Sequence, residues 1–366
     1  MPPTRPLHCL TLSLLLLPPL LLFSYLFTSF PALPNPVHIH HSLASLPKSA
    51  KTWEIYGEEY FEGGGYVKGV WGRTRYWLLG PPHGKKVVLI HGLSIPAIIW
   101  KDVAPALAKK GLRVLVYDLY GRGYSDAPQT TYDAALYTTQ LALLMQHLRW
   151  DRASVVGVSM GGAIAASFTA SFPHLVDDNV VLIASAGLMK TSDISRTAKF
   201  MSAPIVQTLA ASVPFRKYLQ HLSNSSSSVV AEAIPIEPHV ADSGEDKQVP
   251  LDIKKKKDDP ITEIVRLQSA LLPGYNAALS SSLRDGPIRG QKASFESEGF
   301  VGKRVLILHG TQDPTVPPRY ASLIRAALPP STRVDARVVM IPGGLHDITI
   351  SHASDVVREV GGWLRV

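Results

Sequence analysis

The feature that most constrains the fold of this chain is a five-residue segment, Gly157-Val158-Ser159-Met160-Gly161. An apolar, β-branched run over 153–156 precedes it, and a run of good helix formers over 162–168 follows it. A serine between two glycines, with a strand before it and a helix after it, predicts a tight turn with a strained central residue. We therefore expect Ser159 to project from the end of a sheet, beside the backbone N–H groups that begin a helix.

Apolar strand candidates alternate with helical segments on both sides of this turn. They lie at 86–91, 113–118, 153–156, 179–184, 304–309 and 334–341. Strands that are apolar on both faces and separated by helices predict a parallel sheet covered on both sides. Two earlier segments, 66–70 and 73–78, flank a glycine and predict an antiparallel pair. The fold class is therefore α/β, with a mostly parallel sheet.

The alternation stops over residues 187–300. Helical segments there surround a stretch that is rich in serine and lysine and poor in aromatic residues, which indicates disorder. We interpret 187–300 as a helical cap with a disordered loop at about 223–260. The cap is inserted into an α/β core formed by 53–186 and 301–366.

Residues 10–30 carry no charge and are long enough to span a bilayer, which needs roughly 20 apolar residues. We predict a transmembrane signal-anchor there, after a short tail over 1–9 and before a linker over 31–52. Arg5 on the N-terminal side places the rest of a single-pass membrane protein on the lumenal or external side. The alternative is a cleaved signal peptide and a secreted protein, although no small-residue cleavage site follows.

Composition limits the partners that this chain can have. The formal net charge is +8, but four positive charges form one run at 254–257, and no basic face is interleaved with aromatic residues. No nucleic-acid partner is therefore expected. The single cysteine, Cys9, lies ahead of the apolar segment, so the globular part has no thiol nucleophile and no cysteine zinc site. We expect neither a metal ion nor a cofactor.

A serine hydroxyl becomes a nucleophile when a general base lies within hydrogen-bond reach and an acid orients that base. Polar residues just past the carboxyl ends of parallel strands are the candidates, because those ends share one edge of the sheet. Asp313 follows the strand candidate at 304–309, and His346 follows the last strand candidate. The order Ser159, Asp313, His346 is typical of this chemistry on an α/β sheet.

Other interpretations of these residues remain open. Asp313 is also compatible with a turn residue or a helix cap, and His346 with a surface histidine. Asp118 and Asp126 are rival carboxylates, and we expect Asp118 to hold its own loop instead of orienting the histidine. His309 is interpreted as structural.

An oxyanion needs two converging donors. One is expected to be the backbone N–H of Met160, the residue after the nucleophile. The other should come from the turn after the strand that ends near His91, and the N–H of Leu93 is the best candidate. The N–H of Ser94 is the alternative.

Residues 66–366 resemble the α/β-hydrolase fold superfamily, in the capped serine-hydrolase branch that includes esterases, lipases and carbon–carbon bond hydrolases. The chain as a whole is similar to uncharacterised fungal hydrolases of the AB hydrolase-1 type. The segments that carry the resemblance are His91-Gly92, 118–126, 157–161, 309–317 and 343–346. In the family, the base directly follows a glycine, whereas Leu345 intervenes here.

The resemblance implies an eight-stranded, mostly parallel sheet with helices on both faces and an inserted helical cap. It also implies a triad of Ser159, His346 and Asp313, an acyl-enzyme intermediate, and a pocket roofed by the cap. Serine at position 159 disfavours epoxide hydrolases and haloalkane dehalogenases, which use aspartate there.

The expected function is a serine hydrolase that cleaves a carboxylic ester or thioester of a small molecule. The predicted membrane anchor suggests an apolar acyl group. A non-catalytic binding module of the same fold is the alternative from another class. Within enzymes, an amidase or peptidase, a carbon–carbon bond hydrolase and an acyltransferase remain open.

Overall fold

The computed structural model describes residues 14–25, 37–194 and 259–364. The chain divides into two units, Met1–His38 and Ile39–Val366. In the first unit, residues 14–25 form a helix, α1, with exposed side chains. The predicted disordered loop at about 223–260 lies almost entirely outside the described residues.

In the ranges that the structure describes, no helix is both long and apolar enough to span a membrane. The prediction of a transmembrane signal-anchor over 10–30 is therefore wrong, together with the single-pass membrane location and the membrane contact derived from it. Residues 10–13 and 26–30 of that segment lie outside the described ranges.

The described residues of the second unit contain ten strands. They are β1 Ile39–His40, β2 Gly64–Gly69, β3 Gly72–Leu79, β4 Lys86–Ile90, β5 Arg113–Tyr117, β6 Ala127–Pro128, β7 Ala153–Val158, β8 Val176–Ile183, β9 Arg304–Gly310 and β10 Arg337–Ile341. Eight of them form one sheet in the order β10-β9-β8-β7-β4-β5-β3-β2. Neighbours from β10 to β5 are parallel, whereas β3 is antiparallel to both β5 and β2. The eight-stranded, mostly parallel sheet is confirmed.

The helices that the structure describes in this unit connect the strands or follow the last one. They are α2 Thr52–Ile55, α3 Val103–Lys109, α4 Ala134–His147, α5 Met160–Ser171, α6 Pro260–Leu271, α7 Tyr275–Asp285, α8 Lys292–Phe295, α9 Arg319–Ala327, α10 Pro330–Asp335, α11 Ile348–Ser351 and α12 Ala353–Leu364.

Both faces of the sheet are covered, as the apolar strands predict. Successive strand residues enter two different buried clusters: Val88 and Ile90 belong to one, and Val87 and Leu89 to the other. The first cluster includes apolar residues of α4, α5 and α9. The second includes apolar residues of α3 and α12.

The folded unit begins earlier in the chain than residue 53. Strand β1 pairs with β6, and Leu43 is fully buried, with its N–H donating to the carbonyl of Gly123 at 3.0 Å. Lys51 pairs with Glu263 of α6 at 3.1 Å. Residues 39–52, which the sequence assigns to a linker, therefore contact the rest of this unit.

Helices α6, α7 and α8 lie between β8 and β9, at the position predicted for the inserted cap. We call the described residues 259–300 the cap segment. Its helix α6 begins at Pro260 behind Asp259, whose carboxylate accepts from the N–H of Thr262 at 3.0 Å.

Candidate active site

Ser159 occupies a strained turn between β7 and α5. Its φ of 56° and ψ of −122° lie in a region that side-chain-bearing residues rarely adopt. Backbone bonds hold it there: its N–H donates to Ile183 at 2.9 Å, and its carbonyl accepts from Gly162 at 3.1 Å and Ala186 at 3.0 Å. The turn predicted from the motif is thus present, and it presents the hydroxyl at the carboxyl end of β7.

The two glycines of the motif are required by close backbone approaches. A Cβ on Gly157 would lie 2.1 Å from the carbonyl oxygen of Gly161, and a Cβ on Gly161 would lie 2.2 Å from that of Ile90. Neither neighbour can rotate away, because both are main-chain atoms. The glycines therefore allow α5 to start directly against β4 and β7.

Asp313 and His346 extend from the ends of adjacent parallel strands, β9 and β10. Nδ1 of His346 lies 2.8 Å from Oδ2 of Asp313. The two loops are tied together, since the N–H of Gln312 donates to Gly344 at 2.9 Å and the N–H of Gly343 donates to Oγ1 of Thr311 at 2.9 Å. The structure thus brings the two predicted residues together despite the intervening Leu345.

The carboxylate of Asp313 is buried and held ionised. Its Oδ1 accepts from the N–H groups of Thr315 and Val316, each at 2.9 Å. Burial alone raises the pKa of Asp313, but the interactions with His309, His346 and these amides outweigh it and hold the pKa well below its usual range. A buried anion is therefore available to orient the His346 ring and to stabilise its positive charge.

His309 has a more specific place than the structural role expected from sequence. It is fully buried, its Nε2 lies 2.8 Å from the carbonyl oxygen of Val316, and the same nitrogen lies 3.4 Å from Oδ2 of Asp313. The ring therefore packs the Asp313 loop against the end of β9.

The Ser159 side chain lies against the turn after β4. A Cβ added to Gly92 would be 3.7 Å from Oγ of Ser159. Met160 is the first residue of α5, so its backbone N–H has no partner within the helix. Of the two predicted oxyanion donors, Met160 directly follows the serine in the chain, and Leu93 directly follows Gly92, which faces the serine side chain.

His91 holds the peptide bond that carries the Leu93 N–H. The N–H of Leu119 donates to Nε2 of His91 at 2.9 Å, so the ring carries its hydrogen on Nδ1. Nδ1 in turn donates to the carbonyl of Gly92 at 2.9 Å. Burial, aided by the charge of Arg122, lowers the pKa of His91 to about 3, which keeps the ring neutral. The orientation of the Gly92–Leu93 peptide is thereby fixed.

The two rival carboxylates have other partners. Asp118 is fully buried and accepts from the N–H of Ala97 at 2.8 Å, the N–H of Tyr124 at 2.8 Å and the hydroxyl of Tyr56 at 3.0 Å. Asp126 accepts from the N–H of Arg73 at 2.8 Å. Asp118 therefore holds its loop, which is the role expected for it.

Sequence reasoning does not identify Arg122 as part of this site. The residue is fully buried, and its Nε donates to the carbonyl of Leu93 at 2.8 Å. The available signal is a charged residue between Gly121 and Gly123 in a segment of aromatic and apolar residues. Its hydrogen bond to Ser282 of the cap segment joins residues that are distant in the chain, so the sequence does not predict it.

Comparison with known proteins identifies the family of this chain. A family model described as the alpha/beta hydrolase fold matches residues 85–353. The chain belongs to the α/β-hydrolase family. An uncharacterized protein of Mycobacterium tuberculosis is 28% identical over 252 residues, which cover 68% of this chain and 67% of the relative.

Two other similar proteins carry functional names. A 2-hydroxy-6-oxo-2,4-heptadienoate hydrolase of Pseudomonas putida is 34% identical over 110 residues, covering 29% of this chain and 39% of that protein. The structure of a thermophilic esterase from Thermogutta terrifontis superposes with a TM-score of 0.58 at 19% identity, covering 82% of this chain and 98% of the esterase. The family and the fold support hydrolase activity on a small-molecule substrate.

Proposed function

We propose that this protein is a serine hydrolase that cleaves carboxylic esters or thioesters through an acyl-enzyme. The observation that carries the proposal is the strained Ser159 at the head of α5, on the sheet edge that also holds the Asp313–His346 pair. A serine needs such a base, and the base needs such a buried acid.

In the first half of the proposed reaction, Oγ of Ser159 bonds to the acyl carbon and its proton passes to Nε2 of His346. Asp313, on the other side of the ring, stabilises the imidazolium that forms. The negative charge on the former carbonyl oxygen is held by the N–H groups of Met160 and Leu93. His346 then gives the proton to the departing alcohol or thiol as the bond to the acyl carbon breaks.

In the second half, His346 removes a proton from water while the water oxygen bonds to the acyl carbon of the Ser159 ester. The tetrahedral oxyanion returns to the same two N–H groups. Collapse breaks the bond to Oγ, which recovers the proton from His346, and the carboxylic acid departs. No metal ion or cofactor takes part in these steps.

A fluorophosphonate probe tests the nucleophile. The wild-type protein should be labelled, Ser159→Ala should not, and Ser167→Ala should behave as the wild type. Ser167 is a matched control because it is a buried serine on the same helix whose hydroxyl bonds to the Ala163 carbonyl. Equal labelling of Ser159→Ala and the wild type would refute the assignment.

A series of p-nitrophenyl esters of increasing chain length tests the substrate class. The expected apolar acyl group depends on the membrane anchor and is withdrawn with it. The ester series measures the preferred chain length directly. Product formed with an added alcohol in preference to water would indicate an acyltransferase. Normal folding with no turnover and no labelling would indicate a binding module.

A carbon–carbon bond hydrolase is the second candidate, favoured by the similarity to the 2-hydroxy-6-oxo-2,4-heptadienoate hydrolase. The same preparation should be offered that dienoate, with chromatography of the products. Faster cleavage of the dienoate than of every ester would favour this second candidate.

A further inference from the structure

Arg122 is buried without a carboxylate among its hydrogen-bond partners in the described ranges. Its Nε donates to the carbonyl of Leu93 at 2.8 Å, and Nη1 donates to the carbonyl of Tyr120 at 3.0 Å and to the hydroxyl of Tyr137 at 2.6 Å. Nη2 donates to Oγ of Ser282 at 2.8 Å. These four hydrogen bonds fix the orientation of the guanidinium and connect the turn after β4 to the cap segment.

Ser282 belongs to helix α7 of the cap segment, and another residue of the same helix contacts the turn after β4 directly. The hydroxyl of Tyr275 donates to the carbonyl of Ser94 at 2.9 Å. Tyr275 and Ser282 are seven residues apart, so they lie on one face of α7. The helix therefore contacts this turn directly at Ser94 and through Arg122 at Leu93.

The contacts converge on the main chain around the proposed oxyanion donor. The peptide bond before Leu93 is held by His91, and the peptide bond after it is held by Arg122. We propose that Arg122 is a positioning residue that fixes the Leu93 main chain and couples its placement to the docking of helix α7. This inference rests on the proposed function, because it concerns the oxyanion site of that reaction.

The expected size of the effect follows from the geometry of such sites. Oxyanion donors act at about 2.7–3.1 Å, and a misplacement of about 1 Å can cost roughly 100-fold in rate. Lysine keeps the charge at position 122 but lacks the planar fork, so it cannot reach all of these acceptors.

The test is a comparison of kcat and KM for Arg122→Lys and Arg75→Lys on the best p-nitrophenyl ester. Arg75 is a matched control: it is buried, and its Nη2 also donates to a main-chain carbonyl, that of Glu58. Arg122→Lys should lower kcat by roughly 30- to 100-fold with KM within about 3-fold, since the loss concerns the transition state. Arg75→Lys should stay within about 2-fold of the wild type.

Two variants on α7 test the coupling and serve if Arg122→Lys does not fold. Ser282→Ala removes the hydroxyl that accepts from Arg122 and that also bonds to Tyr137 and Ala278. Tyr275→Phe removes the bond to the Ser94 carbonyl. Each variant should lower kcat by about 3- to 10-fold with little change in KM. Wild-type kcat in folded Arg122→Lys, or an equal loss in Arg75→Lys, would overturn the positioning role. Wild-type kcat in both α7 variants would overturn the coupling. If the wild type itself neither hydrolyses esters nor reacts with fluorophosphonate, the proposed function fails first and this inference fails with it.

Discussion

Nδ1 of His346 is 2.8 Å from Oδ2 of Asp313, and the other oxygen of the same carboxylate is occupied by two backbone N–H groups. These bonds fix the orientation of the carboxylate. Its Oδ2 can therefore accept a hydrogen from Nδ1 and keep the imidazole in that tautomer. A carboxylic acid or an amide at this position would not supply the same acceptor.

Asp313→Asn should therefore lower kcat by about 10⁴-fold, because an amide can stabilise the wrong tautomer of the base. Steady-state hydrolysis of an ester measures the loss. Asp347→Asn is the control, since that carboxylate follows His346 directly in the chain but accepts from the hydroxyl of Ser351 at 3.0 Å. A loss of similar size in both variants would contradict the role of Asp313.

The same carboxylate should make the fold sensitive to acid. The pKa of Asp313 is depressed in the folded state, relative to about 3.9 in an unfolded chain. Between those values the unfolded chain binds more protons, so the stabilisation is present above about pH 4 and is lost as the pH falls further. Urea denaturation from neutral pH downward should show a smaller acid-induced loss of unfolding free energy for Asp313→Asn than for the wild type. Parallel profiles would contradict this prediction.

Asp118 should have the opposite effect on the pH dependence of stability. Burial raises the pKa of Asp118 to about 6, although three hydrogen bonds oppose the shift. Between about pH 4 and 6 the folded state binds more protons than the unfolded chain, so this residue's contribution to stability falls as the pH rises. The free energy of unfolding of the wild type, measured relative to Asp118→Asn, should be up to about 3 kcal/mol higher at pH 4 than at pH 7. A difference that is independent of pH would argue against the raised pKa.

Two helical glycines provide a test of the turn at Ser159. Gly161→Ala places a Cβ 2.2 Å from a main-chain oxygen and should destabilise the fold by more than about 2 kcal/mol, with loss of fluorophosphonate labelling. In Gly362→Ala the new Cβ meets nothing within 4 Å, and α12 should gain about 0.5–1 kcal/mol from the lost flexibility of the unfolded chain. Thermal unfolding compares the two, and equal shifts would contradict the close approach.

The sequence is most informative where local pattern and topology agree. Apolar strands alternating with helices predict the parallel sheet, and G-x-S-x-G predicts the turn between β7 and α5. Asp313 and His346 are predicted from their positions just past strand ends, and a hydrogen bond joins them in the structure. Their catalytic roles, like those of Ser159, Met160 and Leu93, stay predictions.

The sequence is least informative about contacts between residues that are far apart in the chain and meet only in the folded protein. The contact between Arg122 and Ser282 joins residues 160 positions apart, and no periodicity marks it. Apolar composition over 10–30 predicts a membrane span, whereas no helix in the described residues is long and apolar enough to form one. The proline- and serine-rich composition before residue 53 likewise does not predict that Leu43 is buried. Its burial depends on contact with the loop near Gly123.

The positive φ of Ser159 costs folding free energy at the residue that the proposed reaction uses as its nucleophile. Glycine adopts that conformation without the steric penalty that any other side chain incurs. Ser159→Gly should therefore be more stable than Ser159→Ala and equally inactive. Under the proposed function, the residue that stability alone would favour at this position differs from the residue that the reaction requires.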